Sequence, residues 1–143
     1  MKQATHLNPR YVDAYNSLGI SLEGLNRHNE AFDAYSKAAT ILTEEAYSQV
    51  EKDGGGWLLV ERSAEGHQVG VFNAERLSRV HEWLRSTNLF SIVRNNMGRC
   101  LAMLGYSNEA RKMFEEAIEF TPDGVEFYAP YEGLEKLGEG DLG

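Results

Sequence analysis

The chain has 143 residues, 42% hydrophobic and 25% charged, enough apolar material for one domain whose core needs no covalent staple. Its 14 basic and 22 acidic residues leave a formal charge of −8 with no Lys/Arg cluster to reverse it locally, which argues against nucleic acid or an anionic membrane as partner. No run approaches the roughly 18 apolar residues of a membrane span. "MKQATHLNPR" at the start has no apolar signal region, and the lone Cys100 precludes an internal disulfide and suits a reducing compartment such as the cytoplasm.

In chain order, the first element is a fragment. "ATHLNP" at 4–9 sits 34 residues before "AATILT" at 38–43 and reads as the tail of a helical unit, so 1–11 is the end of something whose first helix is absent. Residues 12–45 follow as a pair of helices. The same text recurs 79 positions later: Asn16, Leu18, Gly19, Leu22 and Leu25 are matched by Asn95, Met97, Gly98, Leu101 and Leu104. "NEA" at 29–31 returns at 108–110, Tyr35 becomes Phe114, and Ala38 becomes Ala117. The alternation of large and small residues survives the shift.

Between the copies, 46–90 does not repeat cleanly. "EKDGGG" ends a helix running in from 44–52, because three consecutive glycines have too much backbone freedom to stay helical. Residues 57–60 and 68–72 then read as two strands of a β-hairpin joined by "ERSAEGH". From Asn73, apolar Leu77, Val80, Trp83 and Leu84 recur at helical spacing. The block is a degenerate repeat whose first helix is largely replaced by a hairpin.

In the second copy, 91–124, apolar residues recur at 93, 97, 101 and 104, and again at 110, 114, 117 and 120 beyond the turn "GYSN". Asn108 is placed to cap the second helix, with Glu109 at the positive end of its dipole. A Gly on one helix and an Ala on its neighbour let the two backbones approach, while Tyr35 or Phe114 fills the groove beside them. Residues 125–143 contain "FYAPYEGLEKLG", a partial repeat or capping helix that Pro130 should kink or shorten.

These residues resemble the tetratricopeptide repeat, whose pattern is W-x2-L-G-x2-Y, then A-x3-F, then P. The first copy carries Tyr15-x2-Leu18-Gly19-x2-Leu22 and Ala31-x3-Tyr35. The second carries Arg94-x2-Met97-Gly98-x2-Leu101, Ala110-x3-Phe114 and Pro122. Arg94 for the aromatic, Met97 for Leu and Thr43 for the closing Pro are the departures. The resemblance implies an all-α solenoid of antiparallel helix pairs, here interrupted by the hairpin, whose concave groove binds a protein or peptide partner without catalysis.

The same resemblance assigns polar contacts to the second, fifth, sixth and ninth repeat positions. Here these are Asp13, Asn16, Ser17 and Ile20 in one copy and Ile92, Asn95, Asn96 and Arg99 in the other. The Lys and Asn of the carboxylate clamp that holds chaperone C-termini are missing from the fifth and ninth positions. An alternative is self-assembly into a homodimer or scaffold, through Trp57, Leu59, Val69 and Val71 of the hairpin and through the uncapped N-terminal end.

Catalytic chemistry finds no support. "HEWLR" at 81–85 starts like a zinc-protease helix, but Arg85 stands where the second ligand would be. "GGGW" lacks the Gly-Lys-Ser/Thr of a phosphate loop, and Cys100 lies in a packing stretch with no partner nearby in sequence. The expectation is a binding module with no cofactor.

Overall fold

The structure is a computed structural model that describes residues 9–52, 61–62, 68–69 and 74–142. Among the described residues are six helices: α1 Pro9–Gly24, α2 His28–Lys52, α3 Ala74–Ser86, α4 Leu89–Met103, α5 Ser107–Glu119 and α6 Ala129–Leu142. A two-residue ladder, β1 Glu61–Arg62 against β2 Gln68–Val69, is antiparallel and pairs Glu61 with Val69 and Arg62 with Gln68.

Helices α1 and α2 form one antiparallel pair, α4 and α5 the other, and the turns between them are the same turn written twice. Gly24 is followed by Leu25 and then Asn26 at φ 63°; the matching residue after α4 is Gly105 at φ 90°. Arg27 N–H donates to the Leu22 carbonyl at 2.9 Å and Asn26 N–H to that of Glu23 at 2.9 Å. Tyr106 and Gly105 repeat this onto Leu101 and Ala102 at 2.9 and 3.1 Å. This double bond pattern around a left-handed residue satisfies carbonyls that the ending helix would leave bare. Asn108 does not cap α5, contrary to expectation. The helix starts two residues earlier than such a cap implies, at Ser107, and Tyr106 occupies the cap with no side-chain hydrogen bond. Glu109 does lie in the first turn.

The small residues mark where rings lie flat on backbone. A Cβ built on Gly19 would stand 2.5 Å from Tyr35 Cε1, and one on Gly98 2.8 Å from Phe114 Cε1. Phe114 is also approached by Gly133 of α6, where a Cβ would meet its Cζ at 2.5 Å. Ala31, Ala38, Ala110 and Ala117 are fully enclosed beside these rings.

The two pairs are direct neighbours. Helix α4 packs against α2, and Phe90, Val93, Met97 and Cys100 share one core cluster with Ala39, Leu42 and Ala46. Helix α6 packs on α5 and α4 as the third layer, and Pro130 sits in its first turn, where the missing N–H costs nothing. Pro130, expected to kink or shorten this helix, lies at the start, one residue after Ala129. Arg94, in the place of the repeat's aromatic residue, does that residue's work with its stem and charge. Its guanidinium lies 4.8 Å from the Phe90 ring centroid and 3.1 Å from Glu116.

Of the block 46–90, the described parts are the last turns of α2, the short ladder and α3. α3 packs against α2 and α4, inserting Val80 and Leu84 into the same core. The β-hairpin drawn over 57–60 and 68–72 is not supported as such: β1 falls at Glu61–Arg62, in the stretch assigned to its connection. Trp57, Leu59 and Val71 lie outside the described residues.

Two substitutions test this packing by urea unfolding. Gly98→Ala should lower stability by about 1–3 kcal/mol, because the added Cβ would stand 2.8 Å from a Phe114 ring that Gly133 also approaches closely. Gly105→Ala should cost about 1–2 kcal/mol through its left-handed backbone alone, although open space surrounds it.

Candidate partner-binding groove

The seam between the pairs is closed by a chain of hydrogen bonds that begins at a residue the sequence did not single out. Glu23, near the end of α1, has a side chain only 13% exposed. Arg99 of α4 grips it with two bonds, Nε to Oε2 at 2.8 Å and Nη2 to Oε1 at 2.7 Å, and Tyr35 Oη donates to Oε1 at 2.6 Å. Arg99 Nη2 also donates to Asn96 Oδ1 at 3.0 Å, and Asn96 Nδ2 to Asn16 Oδ1 at 3.0 Å. Three of the expected groove residues, Asn16, Asn96 and Arg99, are thus joined to one another across the two pairs.

Electrostatics follow from this geometry. Burial pushes the Glu23 carboxyl up, but hydrogen bonds from Arg99 and Tyr35 and the charge of Arg99 outweigh it and hold the pKa below its ordinary value. Burial, then the bond to Glu23, push the Tyr35 hydroxyl up, so it remains a donor. The buried Cys100 thiol is pushed up to about 12 by burial and by Glu23.

Beside the seam, α4, α5 and α6 enclose a cavity of about 610 Å³. Asn95, Arg99, Ala102 and Met103 form one wall, Ala129, Glu132, Gly133, Lys136 and Leu137 the other, and Phe114 and Ser107 also line it. Asn95 is 4% exposed, yet its Oδ1 has no hydrogen-bond partner. A buried amide oxygen without a donor costs about 1–3 kcal/mol, which marks Asn95 out among the residues that line the cavity. Phe114, Leu137 and Ala102 supply apolar surface around it.

The other expected positions lie elsewhere. Asp13, Ser17 and Ile20 are exposed on α1, Ile92 is half-buried on α4, and none of them lines this cavity. Val69 belongs to the two-residue ladder. The contributions of α6, above all Gly133, Lys136 and Leu137, escaped the sequence reading because the third layer matches the repeat pattern only in part.

The family model described as "Tetratricopeptide repeat" matches residues 12–41 and 93–123, the stretches that form the two helix pairs. The two helix pairs are thus similar to tetratricopeptide repeats, and such repeats mediate protein–protein interactions. No curated protein matches the chain. No helix among the described residues is long and apolar enough to cross a membrane.

The Glu23 clamp predicts an acid-sensitive seam. A carboxyl whose pKa is lowered on folding contributes its full stability above its unfolded value and loses it as pH falls through the folded one. Urea midpoints should therefore hold steady near neutrality and drop below about pH 4. Glu23→Gln should lower stability at pH 7 by about 1–3 kcal/mol and flatten the acid limb.

Proposed function

We propose that the chain is a non-catalytic interaction module that takes an extended segment of a partner protein into the cavity between α4 and α6. The observation that carries this is the bare Oδ1 of Asn95, a buried acceptor set among apolar walls. A backbone N–H of the bound segment satisfies it, and an apolar side chain fills the space over Phe114, Ala102 and Leu137. Lys136 and Glu132 at the same cavity supply charge of both signs for side-chain contacts. Arg99 contributes less than its position suggests, since Glu23 already holds its guanidinium. Affinity for a lone peptide falls near micromolar, about −8 kcal/mol, because ordering a flexible ligand offsets much of the contact energy.

A second reading, self-association, draws on the outer face of α1. Tyr11, Leu18 and Leu25 are exposed, yet they occupy the positions of Phe90, Met97 and Leu104, and Phe90 and Met97 pack α4 into the core. An α1 face patterned for a neighbouring helix favours contact with a second copy.

Panning a displayed library of random 12-residue peptides separates these readings. Enriched peptides should bind wild type near micromolar, about three- to tenfold more weakly to Asn95→Ala and far more weakly to Met103→Glu, whose carboxylate would crowd the apolar wall. Peptides indifferent to both changes would sink the cavity reading. Light scattering on Leu18→Glu decides the other: wild-type mass above a monomer that falls to one supports self-association, and an unchanged monomer removes it.

A further inference from the structure

We propose that Glu23, His28 and Cys100 form a binding site for a thiophilic divalent cation of which Zn²⁺ is the type. One donor atom from each residue lies within 4.8 Å of the other two. They come from three helices: Glu23 from α1, His28 from the first position of α2, and Cys100 from α4 across the seam. His28 and Cys100 are 72 residues apart, so nothing in the linear spacing announces the cluster.

Each donor has capacity to spare. His28 Nδ1 is buried and has no hydrogen-bond partner. Cys100 is a free cysteine with no exposed surface. The Glu23 carboxylate has about four acceptor positions. Arg99 fills two and Tyr35 one, which leaves one for a cation. Arg99 and Tyr35 then act as an outer shell that fixes the carboxylate's orientation.

The donor set selects the ion. A thiolate, an imidazole and a carboxylate suit Zn²⁺ and disfavour Mg²⁺ or Ca²⁺, which require oxygen. Metal–ligand lengths of about 2.0–2.3 Å place tetrahedral donors roughly 3.3–3.8 Å apart, so the three must draw in by about 1 Å. His28, half-buried at a helix start, has the freedom to do so and gives the ion its way in. On binding, the Cys100 thiol transfers its proton to solvent and its sulfur pair to the metal: Zn²⁺ and Cys–SH become Cys–S–Zn⁺ and H⁺, with no change of oxidation state. The thiolate and Glu23 together offset the dication beside Arg99, and water completes the fourth position.

Packing alone does not call for these residues. The repeat offset carries Glu23 to Ala102, His28 to Ser107 and Cys100 back to Ser21, so the same fold positions are met elsewhere by residues without this chemistry. The three donors coincide at the seam.

Co²⁺ provides the test, because the chain has one cysteine and any thiolate-to-cobalt absorption in the near ultraviolet must come from Cys100. Co²⁺ should be added to the folded chain and, separately, be present during refolding. A band saturating at one equivalent, bleached by Zn²⁺, is expected. It should vanish in Cys100→Ser and require about tenfold more Co²⁺ or beyond in His28→Ala. Zn²⁺ should raise the melting temperature of wild type and leave that of Cys100→Ser in place. His28→Ala, checked for helicity and melting in chelator, keeps the outcome readable if the cysteine variant folds poorly. Absence of the band under both loading conditions overturns the proposal, as does a band that His28→Ala leaves unchanged.

Discussion

The fold rests on how near an aromatic ring can come to a helix backbone. Tyr35 against Gly19 and Phe114 against Gly98 set the spacing within each pair, and no side chain larger than hydrogen fits at either contact. Phe114 extends the constraint to a third helix through Gly133. Once those distances are set, the alanines between rings become spacers, and the left-handed turns at Asn26 and Gly105 are needed to bring each second helix back along its partner.

Polar groups then decide what the packed layers do. The positions that the repeat pattern turns toward the groove are, at the seam, spent on one another: Asn16 on Asn96, Asn96 on Arg99, Arg99 on Glu23. A bidentate guanidinium–carboxylate pair with a phenol on the same oxygen sets register more than it adds energy, since desolvating the Glu23 carboxylate offsets part of the attraction and solvent screens the half-exposed Arg99 guanidinium. One layer further on, Glu23 and His28 are replaced by Ala102 and Ser107, the network has no equivalent, and Asn95 faces a cavity. The transition from filled seam to open groove is written in those substitutions.

Much of this was legible in the chain. The 79-residue shift located both helix pairs, and the Gly/Asn turn positions followed from backbone chemistry that is local. Local reasoning failed where two answers were both locally sound. Asn108 is a good cap residue two positions too late, because the preceding turn already dictates where α5 begins. Pro130 breaks a helix interior but starts a helix equally well, and only the third layer chooses. Glu23 carries no motif; its role exists only once α4 lies beside α1. The strand reading places Glu61 and Arg62 in a connection, although they form β1, because a short apolar run does not by itself fix where a strand ends.

The directness of the contact between the pairs bears on how the chain folds. In an ordinary array each unit meets the one just before it in sequence, and structure spreads from neighbour to neighbour. Here the bonds that join the layers link residues 76 and 80 positions apart, with α3 and the ladder on the path between them. The entropy of closing so long a loop precedes any reward from the seam, which slows assembly relative to an uninterrupted array. It also couples the layers into one cooperative event: α3 buries Val80 and Leu84 in the core that the two pairs share, so the excursion and the seam form together.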